Sequence, residues 1–127
     1  QTFLRSLRAR HSGDLPWRGQ YKTIDPRQFP RNLHPVVRTH PETGRPALYV
    51  NTAHTSGIEG MTDEESAPLL QFLFAHQVKP EFTCRWAWEV DALAFWDNRC
   101  AQHNPINDYH GYRRVLNRIT LKGDKPV

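Results

Sequence analysis

Phe82-Thr83-Cys84-Arg85-Trp86-Ala87-Trp88-Glu89, then Val90-Asp91, then Ala92-Leu93-Ala94-Phe95-Trp96, is the stretch on which the fold turns. Phe82, Cys84, Trp86 and Trp88 occupy alternate positions, with Thr83, Arg85, Ala87 and Glu89 between them. Side chains along a strand project to its two faces in turn, so the pattern predicts a strand over 82–89 with one aromatic face. Val90-Asp91 predicts a turn, and 92–96 a second strand. Downstream, 102–108 is a polar connection carrying Asn104, Pro105 and Asn107, and 113–121 predicts a final strand ended by Lys122-Gly123-Asp124.

Upstream, Thr62 and Glu65 form a T-x-x-E capping box, in which each side chain satisfies a free backbone N–H of the other. Leu69, Leu70, Leu73 and Phe74 then make one apolar stripe before Pro80, predicting a core helix over 62–78. Val36-Val37, the turn Pro41-Glu42-Thr43-Gly44 and the return Ala47-Leu48-Tyr49-Val50 predict a hairpin within 34–50. Residues 51–60 read as a polar loop. Phe3, Leu4 and Leu7, with arginines opposite, predict a short amphipathic helix over 2–11. Residues 12–33, with Pro16, Gly19, Pro26 and Pro30, read as a long lid-like loop. Short strands, hairpin turns and one covering helix predict a mainly β architecture with flanking helices, part of a sandwich or jelly roll.

The bulk numbers agree with this class. The 127 residues leave room for one domain and one core, and 38% apolar with 24% charged residues is an ordinary globular balance. No apolar run approaches the length of a membrane span, and the arginine-rich start does not read as a secretory signal. Cys84 and Cys100 lie outside any CxxC spacing, which favours two buried thiols of a cytoplasmic protein over a disulfide. The net charge of +4 is scattered among acidic residues rather than gathered into a stripe, so nucleic acid is not an expected partner. The chain opens at Gln1 on residues that already look like the interior of a helix, as a fragment or the ordered portion of something longer does.

The strand expected over 113–121 places Arg114, Leu116, Arg118 and Thr120 on one face. Two arginines four residues apart sit about 13 Å apart along such a strand. Turned into a barrel, two guanidinium groups would lose water at a cost of several kcal/mol per ion unless anions met them. Small anionic ligands are natural partners, because Arg grips a carboxylate with two parallel hydrogen bonds. A solvent-facing strand with ordinary exposed arginines explains the pattern equally well. His103, eleven residues before Arg114, is by itself an ordinary surface histidine.

Read in order, Trp96-Asp97-Asn98-Arg99, Gln102-His103, Asp108-Tyr109, Arg113-Arg114 and Arg118-Ile119-Thr120 resemble the C-terminal half of the taurine dioxygenase family, iron(II)- and 2-oxoglutarate-dependent dioxygenases. The resemblance extends through His34-Pro35-Val36-Val37-Arg38-Thr39-His40-Pro41 and Leu69-Leu70-Gln71-Phe72-Leu73-Phe74-Ala75-His76 to Pro80-Glu81-Phe82, and more weakly over 12–33. It implies a partial double-stranded β-helix. Residues 1–127 would be the C-terminal half of a single dioxygenase domain, with 1–33 a helix and lid-like loop and 34–127 the barrel strands and covering helix. By the same resemblance, His103 is the distal histidine of the two-histidine, one-carboxylate set that holds non-haem iron(II). Arg114 pairs with the far carboxylate of 2-oxoglutarate. Arg118 grips the anionic end of the primary substrate, and Trp96 is an aromatic near the metal, more simply a core residue.

The implied reaction uses Fe(II), 2-oxoglutarate and O2. It hydroxylates a small anionic substrate, a sulfonate such as taurine or an alkyl sulfate, with release of succinate and CO2. A cytoplasmic homo-oligomer is the expected setting. One departure is plain: the family's H-x-D, which supplies the other two iron ligands, is absent from this sequence. His40-Pro41-Glu42 has the H-x-E form but occupies the hairpin turn, where the family has no ligand. A missing N-terminal half supplying H-x-D is therefore an implied partner. The rival from another class is an inactive fragment or interaction module that keeps the jelly-roll sheet.

Overall fold

The computed structural model describes residues 2–13 and 31–127. Helix α1 (Thr2–Arg5) leads into strand β1 (Arg8–Ser12), and β2 (Arg31–Pro35), β3 (Val37–Thr39), β4 (Pro46–Leu48) and β5 (Thr55–Ile58) follow. Helix α2 (Asp63–Gln77) and a 3-10 turn (Pro80–Phe82) complete the regular elements among the described residues. The strands form two antiparallel sheets, one in the order β2-β1-β5 and the other the hairpin β3-β4.

The helix expected over 2–11 stops at Arg5, and residues 8–12 are instead the central strand of the three-stranded sheet. The apolar residues Phe3, Leu4 and Leu7 span little more than one turn, and Ala9, fully buried between β2 and β5, ties the following residues to both neighbours. Tertiary pairing here outweighs local periodicity. The polar loop expected over 51–60 contains β5, whose register on β1 slips between Arg10 and His11. Most of the lid-like loop expected over 12–33 lies outside the described residues. Its last residues, from Arg31, belong to β2.

The hairpin and the core helix form as the sequence predicts. Val37 faces Leu48 and Thr39 faces Pro46 in the β3-β4 ladder. Gly44 closes the turn at a φ of 67°, a conformation that L side chains adopt at a cost. Helix α2 carries the complete capping box: Glu65 N–H donates to Thr62 Oγ1 at 3.2 Å, and Thr62 N–H donates to Glu65 Oε2 at 2.8 Å. Its apolar stripe places Leu70 and Leu73 in one core with Ala9, Val36, Val50 and Ile58. Ser66 Oγ accepts the Ile58 N–H at 3.0 Å, fastening the helix to β5 with a buried hydrogen bond.

The strands expected over 82–89, 92–96 and 113–121 do not form ladders. Alternation assigns residues to faces, but a strand also needs a neighbour to take its N–H and C=O groups, and no described strand pairs with these segments. The turn between the first two is present, with Ala92 N–H donating to Glu89 O at 3.2 Å. The alternating faces stay open: Phe95 is 87% exposed and Ile119 92%. Cys84 and Cys100 are free and exposed rather than buried, because the segments carrying them have no layer packed over them. No helix among the described residues is long and apolar enough to cross a membrane.

Candidate functional site

Residues 96–103 link the second aromatic segment to His103, and side-chain bonds hold them where no ladder does. Asp97 is the centre. Its Oδ1 accepts the Arg99 N–H at 2.9 Å, and its backbone oxygen accepts the Cys100 and Ala101 N–H groups at 3.2 and 2.9 Å, making a tight turn. The Arg99 guanidinium folds back onto the same carboxylate, with Nε 2.9 Å from Oδ1 and Nη2 2.7 Å from Oδ2. A two-pronged, charge-assisted contact of this kind fixes direction as well as distance.

The turn of the β3-β4 hairpin meets this centre from the other side. His40 Nδ1 accepts the Thr43 N–H at 3.3 Å, so in the neutral ring the proton belongs on Nε2, which donates to Asp97 Oδ2 at 3.0 Å. Arg99 Nη1 reaches Glu42 Oε1 at 2.8 Å. The Arg99 side chain, then His40, then the Arg99 backbone N–H hold the Asp97 carboxyl well below the usual carboxylate range. Arg99 is held correspondingly above its ordinary value, by Asp97 first and Glu42 second.

His40, Asp97 and Cys100 bring one ligand atom each within 4.8 Å of one another, the spacing of a metal site. Their bonding argues otherwise. Both Asp97 oxygens already face a guanidinium, the protonated Nε2 of His40 points at the same carboxylate, and a divalent ion placed there would sit against Arg99. The cluster is an ion-pair node, with the cation supplied by the protein.

His103 follows directly on a second anchor. Gln77 of α2 and Gln102 each donate an amide N–H to the Val50 carbonyl, at 3.0 and 3.1 Å, and Gln102 also donates to Gln77 Oε1. The His103 ring rests against Trp96 with centroids 4.9 Å apart and, among the described residues, has no hydrogen-bond partner on either nitrogen. An imidazole with an uncommitted nitrogen suits iron(II) as one donor. His103 could serve as one such donor, while the sequence holds no H-x-D to complete a set.

Arg114 lies over the Tyr109 ring, 5.2 Å from its centroid, and Arg118 has no hydrogen bond or ion pair among the described residues. Both arginines and His103 are exposed, and no contact joins the three. An apolar groove of about 280 Å³ between α1, the β3-β4 hairpin and α2, lined by Leu4, Leu48, Phe72 and Leu73 among others, includes none of them. Asp97 and Arg99 were visible in the sequence as part of W-D-N-R, and Gln102 beside His103. Their links to His40, Glu42 and Gln77 join residues 25 to 57 positions apart and have no local signature.

On a second face, His11 stacks on Tyr49 and meets His34 edge-on, with ring centroids 5.7 and 4.9 Å apart. Burial, and then the neighbouring His34 and His54, lower the His11 imidazole to about 4. Burial is also the main cause lowering His34, ahead of the charges of Lys125, Arg8 and Arg38.

Residues 1–120 match the family described as taurine catabolism dioxygenase TauD, TfdA family. An alkylsulfatase of Acinetobacter baylyi is 34% identical over 96% of this chain and 42% of its own length. An alpha-ketoglutarate-dependent sulfate ester dioxygenase of Pseudomonas putida is 35% identical over 95% of this chain and 44% of its own. The crystal structure of a taurine dioxygenase from Burkholderia xenovorans superposes with a TM-score of 0.57 at 38% identity, over 69% of this chain and 27% of that one. The chain therefore spans less than half the length of each of these relatives.

Proposed function

The chain belongs to the taurine catabolism dioxygenase TauD, TfdA family, and from that premise we propose that it forms the C-terminal half of an Fe(II)- and 2-oxoglutarate-dependent dioxygenase acting on a small anionic substrate, a sulfonate such as taurine or an alkyl sulfate. One observation carries the reading. The ordered run from Trp96-Asp97-Asn98-Arg99 through Gln102-His103 to Arg114 and Arg118 lies within the 1–120 match, in a chain about a third identical to relatives named for sulfate ester chemistry. In this reading residues 34–127 contribute barrel strands and the covering helix α2 to one double-stranded β-helix. The open aromatic and aliphatic faces of 82–121 are the side that an N-terminal half covers. Apolar area on this scale is seldom left to water in a folded domain.

His103 would hold iron(II) through one imidazole nitrogen, with an H-x-D of the N-terminal half completing the ligand set. Arg114 would hold the far carboxylate of 2-oxoglutarate with its planar fork. Arg118 binds the sulfonate or sulfate and so fixes which substrate carbon lies nearest the iron. Bound iron supplies the oxygen chemistry that converts 2-oxoglutarate to succinate and CO2 while the substrate is hydroxylated.

The test is succinate release by the full-length protein supplied with iron(II), 2-oxoglutarate and oxygen. Taurine or an alkyl sulfate is expected to raise succinate formation well above the substrate-free rate. A protein that forms no succinate with either would contradict the proposal.

A further inference from the structure

Residues 83–127 contain no strand, yet the residues immediately before His103 are tied at several points to two separate elements. His40 and Glu42, on the hairpin turn, grip Asp97 and Arg99 at 3.0 and 2.8 Å. Gln77, on α2, and the buried Val50 carbonyl grip Gln102. We propose that this arrangement is a strap that positions His103, with the His40–Asp97 hydrogen bond as its main fastening and Gln102 as its second. The inference rests on the reading of His103 as an iron ligand.

The physical case is one of freedom removed. A metal ligand contributes fully only when its ring arrives within about 0.5 Å of the productive position. A ring at the end of an untethered segment spends binding energy on ordering that segment, because fixing each backbone residue costs conformational entropy. Here the ordering is already achieved, because the Asp97 turn is closed by its own backbone bonds and pinned to the hairpin. The hairpin is in turn part of the folded core, with Val36 and Val50 fully buried at its base. His40 touches no ligand in this scheme and acts through Asp97, so it is a positioning residue.

The experiment compares iron(II) affinity, measured by chelator competition, in the full-length wild type, His40→Leu and His40→Gln. Hydrogen exchange of the 97–103 amides is followed alongside. Loss of the Asp97 contact in His40→Leu should weaken iron binding about tenfold, in line with loss of a partner that orients a ligand. It should also accelerate exchange in 97–103. His40→Gln keeps an amide N–H at the Nε2 position and should restore most of both. If His40→Leu does not fold, His40→Asn against His40→Gln makes the same comparison, because the shorter amide falls short of Asp97. Iron affinity equal to wild type in His40→Leu or His40→Asn overturns the strap, even if thermal stability falls. A wild-type protein without iron affinity overturns the functional reading, and the strap with it.

Discussion

In the proposed function, Arg114 and Arg118 take two tasks that a single basic patch would blur. If Arg114 holds the co-substrate carboxylate, Arg114→Ala in the full-length protein should raise the KM for 2-oxoglutarate by tenfold or more. Removing one side of a charged pair costs about 2–5 kcal/mol, and every 1.4 kcal/mol is about a factor of ten. An unchanged KM would remove the assignment. Arg118→Ala should weaken the primary substrate more than 2-oxoglutarate, and equal weakening of both would show the division to be wrong. A third prediction concerns His11, whose pKa falls from an ordinary 6.5 to about 4 in the folded chain. Between those values the unfolded chain binds a proton that the folded chain refuses, so stability falls as pH drops through the window and levels off below it. The urea midpoint should therefore decline from pH 7 to 5, more shallowly in His11→Gln. An identical slope in the variant would place the titration elsewhere. None of the histidine packing was legible beforehand, because His11 and His34 meet only once β1 and β2 pair, and Tyr49 joins them through its backbone bond to Val36.

What was legible at the level of elements follows the range of the forces. Helix α2 and the β3-β4 hairpin are specified by neighbours a few residues apart, the Thr62–Glu65 box and the turn ending at Gly44, and both stand where the pattern put them. Strands β1 and β5 were missed because Arg8-Ala9-Arg10-His11-Ser12 and Thr55-Ser56-Gly57-Ile58 carry little apolar signal and are defined by each other. The alternating stretch 82–89 had the strongest strand pattern, yet a pattern supplies faces and not a partner for the backbone. Helix α2 gives a direct check on the core. Leu73, 2% exposed, should cost about 2–5 kcal/mol as Leu73→Ala in chemical denaturation of the full-length protein. Phe72, 66% exposed, should cost far less as Phe72→Ala, because little of its surface leaves water on folding of this chain. The reverse order would mean that the helix presents its other face to the core.

For the whole molecule, the candidate site was legible as an ordered set of residue types, His103, Arg114 and Arg118, and not as a geometry. In this structure the three side chains are exposed and share no contact. The groups already assembled are those that hold the approach to His103: His40, Glu42, Asp97 and Arg99 on one side, Gln77 and Gln102 on the other. The proposed function requires His103 to become one of three donors once the rest of the domain is in place. Iron(II) titration of the full-length protein with 2-oxoglutarate present, wild type against His103→Ala, measures that requirement. Wild type should take up one iron per chain, and His103→Ala should lose most of that affinity while keeping its fold. Undiminished iron binding by His103→Ala would contradict the account.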